Sequence, residues 1–403
     1  MPATAAKLTR QAKRVIATFG SGEAGTRGQV AVLRQVIKQS PHLKAQLNDA
    51  VASGRLTGFG ALAPSANAGG EYWPSSGLIK LPSAIVTLST KEELAFILGH
   101  EMQHALNAPT VASAVRDLYF DAHAAAQSSH DYTNAVAHVV QAHREDEASA
   151  TLAGWNAMLD CHRSLEPWEA VHEIVRTNEF RARDFVERKF DSTWGVRPNL
   201  HLNSDLTVDL SPQNIEGMGK NFFDKPASQT FLGHHGDSDY TNYYTAVAVG
   251  QAASIHAAVN PGVSGLPGPP MLIDLKQLRA SRKSMERNGI SLGDADVVPP
   301  VPYLDVSTAP PSPGFFHHTR NTHQHVPVAD AQDHDHPRSP PSISPVRLAQ
   351  SSFAHRRRQT AGSTVKQKEA ATSRLGSPRG PTTTADRAQQ RGGTVPQFSR
   401  GSE

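Results

Sequence analysis

Between Thr90 and Asn107 the chain places two histidines four residues apart in a run that local chemistry drives into a helix. Thr90-Lys91-Glu92-Glu93 is a capping-box sequence, in which the Thr90 hydroxyl accepts from the Glu93 amide while the Glu93 carboxylate reaches back. Behind it, Leu94, Ile97, Leu98, Met102 and Ala105 recur at helical spacing and build one buried stripe. The pattern predicts a stop at Asn107-Ala108-Pro109, because proline cannot extend the helix and the residue before it avoids the helical region. On such a helix His100 and His104 stand on one face, with Cβ atoms about 6 Å apart. Glu101 is turned about 100° away from His100.

The five residues His100 to His104 read H-E-x-x-H, a pattern that composition alone would produce about 0.04 times in this chain. Two neutral imidazoles so placed can bind one Zn²⁺ ion. The metal lowers the pKa of its bound water toward about 7, and Glu101 takes the proton as that water attacks a carbonyl, then delivers it to the leaving amine. The single cysteine, Cys161, excludes both an intrachain disulfide and a cysteine-based zinc cluster, so the remaining ligand has to be a histidine or a carboxylate. It does not come from an H-E-x-x-H-x-x-G-x-x-H continuation, since Asn107 and Thr110 occupy those places.

The best source is HREDEASATLAGWNAML, residues 143–159. Within it Glu147 has Ala150, Thr151 and Gly154 at i+3, i+4 and i+7, a small-residue face that lets two helices approach closely. Glu147 is therefore the expected third ligand. Glu145 and Asp146 point from neighbouring faces, either to solvent or behind the ligands, and His143 lies one turn earlier as an outer partner. Gly99 costs a plain helix about 1 kcal/mol relative to alanine, which calls for close backbone approach at that point.

These two helices resemble those of the gluzincin metallopeptidases, which pair an H-E-x-x-H helix with a glutamate on a later one. More narrowly, LGHEMQHALN followed by EDEASATLAGWNAML resembles metallopeptidase domains of bacterial toxins and secreted effectors, xanthomonad-like in kind. The likeness covers roughly residues 55–260. It implies an α+β, mainly α, zincin-like fold with a small β-sheet, a protein or peptide substrate, and an edge strand before the active-site helix. That strand would lie within Gly69–Trp73 and Ile79–Pro82, with Gly77 to Leu81 exposing an edge. It also implies a later residue that stabilises the oxyanion, for which Tyr240 and Tyr244 offer phenols on one face of a helix over Asp239–Val259.

Composition divides the chain. Fourteen of the 28 prolines fall from Pro299 onward, and residues 337–403 carry 12 basic against 3 acidic side chains, so the pI of 8.9 describes the tail and the body is mildly acidic. No nucleic-acid partner is expected for such a body. The expected organisation is an N-terminal helical segment over 1–54, the zincin-like domain over 55–260, a peripheral helical segment over 261–298, and a disordered Pro/His/Arg-rich tail over 299–403. That tail holds six histidines between His317 and His336 and the run Arg356-Arg357-Arg358, suited to an acidic partner or a secretion machine. There is no transmembrane segment and no signal-peptide core, which predicts a cytoplasmic protein or one secreted without a cleaved signal. Two other readings stand beside the peptidase: a cell-wall peptide amidase toxin, and a non-catalytic scaffold whose basic tail binds a partner.

Overall fold

Side-chain caps open the N-terminal helices. In the computed structural model, which describes residues 7–21, 25–63, 68–230, 232, 236–262, 268–292 and 299–319, Thr9 accepts from the Ala12 amide to start α1 (Arg10–Ala17). Thr26 and Gln29 form both halves of a capping box at α2 (Arg27–Gln39), and Ser40 caps α3 (Pro41–Ala52) with Pro41 in its first turn. Strands β1 (Gly58–Ala61), β2 (Glu71–Trp73) and β3 (Leu78–Leu81) form a sheet in the order β1-β3-β2, with β1 parallel and β2 antiparallel to β3. The strand expected to expose an edge, β3, is thus central. Thr18 closes the outer side of β1, its hydroxyl accepting from the Phe59 amide at 2.7 Å, and β2 is the other edge.

After the short helix α4 (Ser83–Leu88) comes α5 (Lys91–Ala126), started by Thr90, whose hydroxyl accepts from Glu93 N at 3.2 Å. The Glu93 carboxylate takes a bond from Arg181 at 2.8 Å. The expected stop at Pro109 does not occur, and α5 runs seventeen residues further. Proline removes one donor there, while the following turns bury Ala114, Leu118 and Ala122 in the core, which outweighs that loss. Helix α6 (Thr133–Leu159) lies antiparallel along α5, pairing Gly99 with Gly154 and His104 with Asp146.

Helix α7 (Pro167–Ala182) ends before a hairpin of β4 (Val186–Arg188) and β5 (Trp194–Val196). Then follow α8 (Pro212–Met218), a π-helical turn over Gly219–Phe223, α9 (Ala227–Thr230) and α10 (Tyr240–Val259). Within the helical segment expected over 261–298, residues 271–273 are instead strand β6 (Met271–Ile273), followed by the short α11 (Arg282–Asn288). The start of the tail at Pro299 also needs correction: β7 (Val301–Asp305) and β8 (Ser312–Phe316) join β6 in a second sheet, order β6-β7-β8. Tyr303 and Phe316 stack there at 4.0 Å, so inward alternation holds a proline-rich stretch as strands. Residues 320–403, including His323, His325, His334, His336 and Arg356–Arg358, lie outside the described residues.

The described residues belong to one compact unit within Met1–His355. Two apolar clusters fill it. One joins α1–α3, the first sheet and the front of α5, so residues 7–54 are not a separate segment. The other joins the back of α5 to α6, α10 and the second sheet, and it buries Met271, Leu278 and Met285 of the stretch expected to be peripheral. The architecture is α+β and mainly helical. Among the described residues no helix is long and apolar enough to cross a membrane.

Candidate active site

The α5–α6 contact is close because both helices are glycine at the crossing. A Cβ at Gly99 would stand 2.9 Å from the Ala153 carbonyl oxygen and 3.1 Å from Gly154 Cα, and one at Gly154 would stand 2.9 Å from the Phe96 carbonyl oxygen. This approach lets short-range groups on the two helices meet. His100, His104 and Glu147 each bring a ligand-type atom into one group whose members lie within 4.8 Å of one another, all buried. The two Nε2 atoms are 2.9 Å apart, and Glu147 Oε2 lies 3.5 Å from that of His100 and 3.9 Å from that of His104.

Each of the three is held from behind. His104 Nδ1 donates to Asp146 Oδ2 at 2.9 Å, and Asn107 Nδ2 donates to Asp146 Oδ1 at 2.9 Å and to Ser149 Oγ at 2.7 Å. Gln103 reaches Asn107 at 2.9 Å and Gln46, on α3, reaches Gln103 at 3.1 Å, so a chain of amides extends from α3 to His104. Phe96 stacks on His100 at 6.1 Å, and the Arg181 guanidinium lies 4.4 Å over the other ring of that pair, Phe96. The Tyr244 hydroxyl donates to Glu147 Oε1 at 2.7 Å.

The electrostatics follow from this burial. Desolvation, then the neighbouring His104 and Arg181, push the His100 pKa well below the usual histidine value, so its imidazole is neutral. Desolvation also opposes charge on His104, but the charge and hydrogen bond of Asp146, with Glu147 and Glu101, outweigh it and raise the pKa to about 10. His104 can then donate its Nε2 proton to His100. Burial raises Glu147 to about 7, against the pull of His104.

A divalent cation fits this set. Glu147 Oε2 is fully buried and has no hydrogen-bond partner, yet it faces both histidine nitrogens. An orphaned carboxylate oxygen beside two imidazoles is the donor set zinc takes, and one neutral histidine and one holding a displaceable proton are chemically ready to accept it.

Of the residues predicted from sequence, His100, His104 and Glu147 meet at the α5–α6 seam, Tyr244 is bonded to Glu147, Glu101 follows His100 on α5, and Tyr240 is the first residue of α10, one turn before Tyr244. Glu101 is fully buried beneath Gly70, where a Cβ would stand 3.0 Å from Glu101 Cγ and 3.2 Å from its Oε1. Tyr240 packs against Phe222 at 5.0 Å and Phe223 at 5.6 Å, as a core ring does. Glu145 is exposed and Asp146 buried, which separates two carboxylates the sequence left together. Asp117 pairs loosely with exposed His138 at 3.7 Å, away from the histidine pair. Asn107, Gln103 and Arg181 escaped the sequence reading. Asn107 had a signal, standing one turn after His104 on the same face.

Searches of curated proteins and of solved structures returned no match. Residues 5–183 match the model of Peptidase family M48, and this stretch, which contains α5 and α6 with the buried His-His-Glu group between them, is a zinc metallopeptidase domain of the HExxH type, a hydrolase by its family.

Proposed function

We propose that His100, His104 and Glu147 hold a zinc ion and that Glu101 is the general base in the hydrolysis of peptide bonds. The observation that carries this reading is the buried, unpartnered Glu147 Oε2 facing the Nε2 atoms of the H-E-x-x-H histidines. Zinc bound there supplies Lewis-acid polarisation of a carbonyl and acidification of water. Glu101 accepts the proton of the attacking water and passes it to the departing amine. Asp146 fixes the His104 ring so that Nε2 points to the site, and Tyr244 orients Glu147. The oxyanion role that resemblance gave to Tyr240 and Tyr244 finds less support: the one Tyr244 proton is engaged by Glu147, and Tyr240 sits among phenylalanines.

The substrate is a protein or peptide, laid extended against edge strand β2, which begins one residue after the Gly70 that covers Glu101. Delivery as a secreted effector or toxin, with another organism's proteins as targets, rests on the resemblance of the two helices alone. Zinc content and casein hydrolysis of wild type and Glu101→Gln test the reading. Near-unit zinc in both with hydrolysis reduced about 10²–10⁴-fold in the variant is expected. Equal activity, or protein that never retains metal, overturns it. Hydrolysis of peptidoglycan with none of casein would favour the amidase.

A further inference from the structure

We infer that His143 contacts the substrate in this site, its imidazole N–H donating to the carbonyl oxygen of the bond that is cut; this rests on the peptidase reading above. His143 and Glu147 are four residues apart on α6 and share its face. The His143 ring lies flat on the Tyr244 ring, with centroids 4.2 Å apart and planes at 18°. Tyr244 ends on Glu147, so the three side chains form one connected stack that leads to the carboxylate facing the histidine pair.

His143 is 3% exposed, and its Nδ1 has no hydrogen-bond partner. Buried polar atoms in folded proteins are nearly always satisfied, so an unpartnered nitrogen one helical turn from Glu147 is a place where a ligand can complete the bonding. Burial pushes the ring's pKa down to about 4, so near neutral pH it carries one N–H and one bare nitrogen. A neutral donor suits a carbonyl oxygen that gains negative charge.

In the step itself, the water oxygen bonds to the carbonyl carbon and the π pair of that carbonyl moves onto its oxygen. Glu101 takes the proton that the water loses. His143 donates a hydrogen bond to the charged oxygen and is not consumed. The pair on the charged oxygen then re-forms the carbonyl as the carbon–nitrogen bond breaks, and the electron pair of that bond leaves with the nitrogen, which receives the proton from Glu101. Tyr244 cannot take this donor role without releasing Glu147.

His143→Phe keeps a ring against Tyr244 and removes both nitrogens. It should retain wild-type zinc content and thermal midpoint, lose about 10²–10³-fold in kcat, and change KM little. His143→Gln, which restores a neutral N–H donor, should recover part of that loss. In metal-free Glu101→Gln protein with ¹⁵N-labelled histidine, a bound, uncleaved peptide should shift the His143 Nδ1 resonance. Wild-type kcat in His143→Phe, zinc lost in parallel with activity, or an Nδ1 resonance unmoved by peptide each overturns the inference. Glu101→Gln separates the two failures: if it is inactive while His143→Phe is fully active, only the role of His143 falls, and if it is as active as wild type the peptidase reading falls with it.

Discussion

The Tyr244 hydroxyl donates to Glu147 Oε1 at 2.7 Å across 97 residues of chain, and this leaves Oε2 as the oxygen that faces His100 and His104. The bond ties α10, beyond the stretch matched by the peptidase family, to the carboxylate of the candidate metal group. Tyr244→Phe removes the donor and keeps the ring against His143 and Phe223. Outer partners of metal ligands typically govern about 10–100-fold in affinity, so the variant should surrender zinc to a chelator at a correspondingly lower concentration. Chelator competition followed by metal analysis measures this. Equal retention by the two proteins would show that Glu147 is positioned without the phenol.

Asp146 offers a second test from the other side of the site. Its Oδ2 accepts from His104 Nδ1 and its Oδ1 from Asn107, both at 2.9 Å. Asp146→Asn preserves shape but removes the charge that fixes the His104 ring. We expect about 10–100-fold weaker zinc binding and a matching fall in hydrolysis at limiting zinc. Hydrolysis restored by excess zinc would place the defect in affinity; hydrolysis still depressed at saturation would place it in catalysis.

Much of this centre is legible in the amino-acid sequence because its three metal-type side chains lie on two helices with strong local signals. His100 and His104 need only the spacing of one turn, and Glu147 is picked out by the small residues Ala150, Thr151 and Gly154 that follow it. The choice among Glu145, Asp146 and Glu147 turns on helix phase, which the sequence carries. What is illegible depends on contacts between distant segments. Pro109 reads as a stop, and only the burial of Ala114, Leu118 and Ala122 explains why α5 continues. Met271–Ile273 is too short for periodicity to show, and it becomes a strand because Val301–Asp305 pairs with it. The partner of the Tyr244 hydroxyl has no local signature either, since it is fixed by how α10 packs on α6.

The glycines at the crossing predict an asymmetry between two otherwise similar substitutions. Gly99→Ala gains about 1 kcal/mol of helix propensity, but its Cβ would sit 2.9 Å from the Ala153 carbonyl oxygen, a backbone atom that cannot rotate away. Overpacking of this kind costs about 1–3 kcal/mol, so the net effect should be destabilising, with zinc affinity reduced because α5 carries His100 one residue later. Gly28→Ala, at an exposed position of α2, meets only Thr26 Oγ1 at 3.7 Å and should be neutral or stabilising. Thermal unfolding of both variants decides. A stabilised Gly99→Ala protein would mean the helices can separate without penalty.

A pH dependence of stability should arise away from the metal group, where α3 meets the end of α6. His42 Nδ1 donates to Asp160 Oδ2 at 3.0 Å, and the same oxygen accepts from the Ser40 hydroxyl at 2.5 Å. The hydrogen bond to Asp160 raises the His42 pKa above 6.5, against a smaller desolvation effect. Because the folded value is the higher one, the pair contributes its full stability below about pH 6.5, and that contribution fades as pH rises through the folded pKa. His42→Gln should therefore lower the urea midpoint most at pH 5.5 to 6, with the gap from wild type narrowing above that window. The side chain is 41% exposed, so the effect will be small and will shrink in high salt. A gap that is constant with pH would show that His42 acts through packing and not through its charge.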